Sequence, residues 1–154
     1  MSLEHWLLFL HILGAIVWIG GGLMLSFFGL RARATADLRI IAEFSRTSRR
    51  FGLTLFMPAL VVLLGTGIWM VLAHTGSKLS EPWILIGFAL FFLAFLIGAF
   101  YLSRVGIALE QAVADPGRDV KSASVLIGRW LVGYGVILLV LVAAVWDMVF
   151  KPFA

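Results

Sequence analysis

The stretch HWLLFLHILGAIVWIGGGLMLSFFGL, residues 5–30, contains no Asp, Glu, Lys or Arg. A helix rising about 1.5 Å per residue over this length outreaches a hydrocarbon core about 30 Å thick. Glu4 precedes the run and Arg31 follows it. A secretory signal peptide has a basic start, a shorter apolar stretch and a small-residue cleavage site. Here the start is acidic and the cations come afterwards, so the segment is expected to remain as a membrane helix.

Three further runs of the same kind follow. The expected spans are about 4–30, 51–74, 83–103 and 130–150, within a single transmembrane domain over 1–154. Each run is continuously apolar, without the alternation of a membrane β-barrel strand, so helices are expected. The fold class is therefore all-α, an integral membrane four-helix bundle. Composition agrees: the chain is 62% hydrophobic and 13% charged, with mean hydropathy +1.09, against about a quarter charged for a soluble domain. There are no cysteines, which excludes disulfides, thiolate metal sites and covalent haem attachment. Twelve Lys and Arg stand against eight Asp and Glu. The cations gather at the ends of apolar runs, which reads as topology and not as a nucleic-acid surface.

The connecting segments differ in charge. Residues 31–50 hold Arg31, Arg33, Arg39, Arg46, Arg49 and Arg50, and residues 104–129 hold Arg104, Arg118, Lys121 and Arg129. Segment 75–82 holds one cation, Lys78. The positive-inside rule assigns 31–50 and 104–129 to the cytoplasm and both termini to the periplasmic or outer side of the inner (plasma) membrane. Leu38, Ile40, Ile41 and Phe44 have helical spacing, fitting an interfacial helix or an extension of span two. Residues 104–114 are expected to continue span three up to Asp115-Pro116-Gly117. Trp6, Trp83 and Trp146 fall near the outer interface and Trp130 near the inner one. Pro58 should kink span two. The arginines suit orientation and headgroup contact, or binding of lipid or a partner. Many span glycines allow close helix approach, within the bundle or in a homo-oligomer or with a membrane protein partner.

Ionisable groups inside spans are costly and rare, so His11, His74, Asp147 and Lys151 are the candidate site residues. At 100° per residue, His11 shares a face with Trp18, Gly22 and Gly29. His11 is either a ligand to haem iron or another metal, or a histidine bonded to a carbonyl or hydroxyl of a neighbouring helix. His74 is a second candidate ligand or an interfacial histidine, above Met70 and Gly67. His5 lies about 240° around the helix from His11, so one straight helix cannot offer both to one ion. Asp147 and Lys151 have the i, i+4 spacing of a helix ion pair. Asp147 is alternatively an anchor for a cation or an orienting group for a ligand histidine. No Gly-rich phosphate loop, no nucleophile with an adjacent base and no closely spaced methionine pair is present, so an enzyme is not the leading expectation.

His11, Trp18 and Gly20-Gly21-Gly22 resemble the first helix of the CopD-like membrane proteins, a group that includes HemJ-type protoporphyrinogen oxidases. Thr66-Gly67-Ile68-Trp69 after Pro58 is similar to their second helix, and Met148-Val149-Phe150-Lys151-Pro152 to their last. Within this group the chain looks most like the DUF2269 family of small integral membrane proteins, over essentially its whole length. The resemblance implies a four-helix membrane bundle. It also implies a b-type haem associated with the first-helix histidine, His11; from position and spacing alone, Trp18 and His74 are the further candidate cofactor contacts.

Overall fold

The computed structural model describes residues 3–73, 81–115 and 119–152. Almost all of them are helical and none is in a strand. Helix α1 (Leu3–Thr35) carries the first apolar run and continues past it, because Arg31-Ala32-Arg33-Ala34 are good helix formers. Ala36, with φ 49°, and Asp37 make the turn. The Asp37 carboxylate accepts the Arg39 N–H at 2.8 Å and caps α2 (Leu38–Phe51).

α2 does not lie apart as an interfacial helix. It runs through a π-helical turn, Gly52–Phe56, into α3 (Met57–Ala73), giving one continuous helix Leu38–Ala73. The wide turn stands directly before Pro58, whose ring crowds the carbonyl four residues back and brings no N–H to it. The Met57 N–H reaches Gly52 O instead, and the Thr54 hydroxyl donates to Arg50 O at 2.8 Å. The local disturbance expected of Pro58 is thus taken up as a widened turn. α4 (Pro82–Leu96) starts on a first-turn proline and passes through a second π-helical turn, Ile97–Leu102, into α5 (Ser103–Ala114). α6 (Val120–Phe150) is capped by Asp119.

These elements make four long helices, Leu3–Thr35, Leu38–Ala73, Pro82–Ala114 and Val120–Phe150, each long and apolar enough to cross a membrane. Within the most apolar stretch of each, 17% is buried in the first three and 33% in the fourth. The remaining hydrocarbon faces outward, as a bilayer requires. α1 runs antiparallel to α3 and α6, and α6 antiparallel to α4; α2 packs on α1 and α5. One end of the bundle therefore carries Leu3 and Phe150, and the other carries the arginines.

Packing is uneven along the axis. At the arginine-rich end, Phe44 is fully enclosed and meets Phe28 and Trp130 edge-on at 5.7 and 5.2 Å, and Trp130 stacks on Tyr134 at 5.1 Å. Leu25, Ile41, Leu109, Ile127 and Ile137 complete this core. Arg49 bridges α2 to Glu110 of α5 at 2.9 Å, but both side chains are exposed, so the pair contributes about 1 kcal/mol at most. Towards the opposite end, α1 has no buried residue between Leu3 and Leu13.

Candidate functional site

His11 and Thr66 form the polar centre of the thinly packed half. α1 and α3 meet closely there because Gly14 lies against Leu63 and the Ala59 carbonyl, and Gly67 leaves space beside the His11 ring. His11 Nδ1 lies 3.0 Å from Thr66 Oγ1. The Thr66 hydroxyl is 2.6 Å from Val62 O and 3.3 Å from Leu63 O. A hydroxyl has one proton, and the short contact to Val62 O takes it. The histidine must then donate Nδ1–H to Oγ1. In that tautomer Nε2 carries the ring's lone pair. Of the two sequence readings of His11, the bond to a neighbouring helix hydroxyl is present.

Trp18 lies two turns further along α1, in the core. It meets Phe91 of α4 edge-on at 5.8 Å and is 5% exposed. Its carbonyl accepts the Tyr134 hydroxyl at 3.2 Å. Tyr134 crosses directly over Gly22, where any Cβ would overlap the ring. The glycine on the His11 stripe therefore serves an α1–α6 clasp.

Asp147 is the buried charge-bearing residue of α6, at 2% exposure, and neither carboxylate oxygen has a hydrogen-bond partner. It faces α4 at Gly87, and the Met148 side chain also presses on that glycine. The expected Asp147–Lys151 ion pair is not formed. Lys151 precedes Pro152, which disfavours the α conformation, and it adopts φ 44° at the helix end. Only its backbone N–H returns to Asp147 O, at 2.9 Å. Its ammonium sits over the Trp83 ring, 4.4 Å from the centroid.

The structure thus joins His11 to Thr66, and Lys151 to Trp83. His74 lies outside the described residues. Among the described residues no three His, Asp or Glu side chains converge as a metal-binding group. The sequence reading omitted Thr66 as a site residue. Its signal was its place as the sole hydroxyl of α3.

A polytopic four-helix membrane protein with a half-buried histidine and a buried aspartate towards one end is the class these features define. The family model described as "Predicted integral membrane protein (DUF2269)" matches residues 5–152, and the chain belongs to that family. No curated protein and no solved structure matches it.

Proposed function

We propose that this protein holds a b-type haem or a metal ion in the half of the bundle bearing the chain ends, with a redox or electron-transfer role and His11 as the ligand. The observation that carries this reading is the His11–Thr66 hydrogen bond at 3.0 Å, which suits a tautomer with Nδ1–H towards the protein and a lone pair on Nε2. The donor chemistry fits, since neutral imidazole is a ligand for haem iron and most transition metals. Such a group would supply a one-electron couple, which the polypeptide lacks. The chain's own part is to fix the imidazole through Thr66 and to present it where α1 is not yet packed. Trp18 walls the site off from the core. Asp147 offers a compensating charge for a cationic centre in the same half, and Lys151 on Trp83 stands at its edge. His74, directly after α3, is the proposed second ligand. The reading includes an inner-membrane location with both termini outward, an orientation that the arginine distribution supports.

The test is an absorbance spectrum with elemental analysis on detergent-purified protein from haem-replete cells. A Soret band or stoichiometric metal, lost in His11→Ala, is expected. A colourless, metal-free preparation overturns the proposal.

A second reading, a subunit that assembles through glycine faces, draws on Gly20 and Gly65. Both are exposed, with open space where a Cβ would stand. It requires a stable oligomer in detergent, and a strictly monomeric native mass would refute it.

A further inference from the structure

A groove of about 430 Å³ opens between α5 and α6 at the arginine-rich end, lined among others by Phe100, Tyr101, Arg104, Ala108, Leu126 and Arg129. The helices are antiparallel, and two contacts set their register. Tyr101 and Leu102 press on Gly133, and the Tyr101 hydroxyl reaches the Arg129 carbonyl at 3.4 Å. This register brings Arg104 and Arg129 to the same depth on opposite sides of the groove. Both arginines are exposed, and neither has a carboxylate partner among the described residues, whereas Arg49 has Glu110. Towards the bundle centre the groove continues along Phe100, which is 59% exposed and apolar.

Two unpaired guanidiniums beside an apolar, outward-facing wall match one kind of molecule. A guanidinium fork pairs with phosphate oxygens bidentately, and an apolar wall at this position accepts an acyl chain. Basic pockets between membrane helices bind acidic lipid headgroups for this reason. We infer that the Arg104–Arg129 groove is a binding site for an anionic phospholipid, with the phosphate between the two arginines and an acyl chain along Phe100. The site is separate from His11 and does not depend on any cofactor there. Shared net charge does not explain the choice of groove, because Arg39 and Arg46 are as basic and exposed but do not line it.

Native mass spectrometry of the full chain in neutral detergent tests this with three probes: phosphatidylglycerol, phosphatidylcholine of the same chain length, and inorganic phosphate. Phosphatidylglycerol should be retained over phosphatidylcholine, and inorganic phosphate should neither bind nor compete. Arg104→Gln with Arg129→Gln should weaken phosphatidylglycerol retention by about tenfold or more. Arg39→Gln with Arg46→Gln, an equal loss of charge, should leave it unchanged. Circular dichroism checks folding, and the Arg104→Lys, Arg129→Lys pair, which keeps the charge but not the fork, should fall between. The inference is overturned by equal retention of the two lipids, by competition from inorganic phosphate, or by equal losses in the two glutamine pairs. If the glutamine pair misfolds, undiminished retention by the lysine pair overturns it as well.

Discussion

Replacing Gly22 with alanine adds one methyl group where Tyr134 of α6 lies against α1. That methyl would overlap the Cε1, Cζ and Oη atoms of Tyr134. Tyr134 is 2% exposed, stacks on Trp130 and sits 6.0 Å from Phe56, so its ring has nowhere to turn without disturbing both. Overpacking of this kind costs about 1–3 kcal/mol. The Tyr134 hydroxyl would also leave Trp18 O, and an interhelical hydrogen bond in a membrane protein contributes about 0.6 kcal/mol. Alanine regains about 1 kcal/mol of helix propensity over glycine. The net expectation is a loss of about 0.6–2.6 kcal/mol, measured by reversible unfolding in mixed micelles at increasing fractions of denaturing detergent. Gly20→Ala is the control. Nothing lies within 4 Å of its Cβ position, so only the propensity gain should appear. In a Tyr134→Leu background the cost of Gly22→Ala should largely vanish, because the ring that collides is gone. An unchanged stability in Gly22→Ala, or the same cost in both backgrounds, would refute the clasp.

Three other outcomes follow from the packing and the polar groups. Thr66→Val removes the acceptor of His11 Nδ1–H, and if His11 ligates haem or metal, titration should show affinity lowered by about 10–100-fold with His11 still present; unaltered affinity would exclude Thr66 as the orienting group. Asp147→Leu removes two buried oxygens without partners and should raise stability by about 1–3 kcal/mol, read as a higher melting temperature in detergent; a lower melting temperature would show that the carboxylate is satisfied in the membrane. Phe44→Ala should cost about 3–5 kcal/mol in the same micelle unfolding assay, since α2 is docked through this side chain, and a cost below about 1 kcal/mol would mean that α2 is not held to the bundle.

The spans were readable because a bilayer forces long uninterrupted apolar runs, and residues 5–30 leave no other interpretation. The helix extensions were less so. Ile41 and Phe44 showed one apolar face on α2, but periodicity cannot say whether that face meets lipid or protein, and their complete burial depends on Phe28 and Trp130 from distant parts of the chain. Spacing puts Trp18, Gly22 and Gly29 on one face of α1, and all three are buried. What Gly22 makes room for was not visible, because Tyr134 lies 112 residues away. Thr66 was passed over because a threonine inside a helix ordinarily bonds back to its own carbonyls, as this one also does. Only the α1–α3 register puts it opposite His11. The Asp147–Lys151 spacing misled, although Pro152 already warned that Lys151 would leave the helix.

The two π-helical turns bear on how the length of this chain can change. A π turn is an α turn holding one residue too many. Deleting one residue within Gly52–Phe56 or Ile97–Leu102 would let the ladder close in ordinary α register, with the two flanking segments kept close to their present phase. Elsewhere in a span the same deletion would have no slack to draw on and would break the phase of both halves. Single-residue gaps and insertions among variants of this protein should therefore collect at these two turns. The same turns are the positions at which an engineer could alter the α2 or α5 extension without rewriting the membrane-crossing helices attached to them.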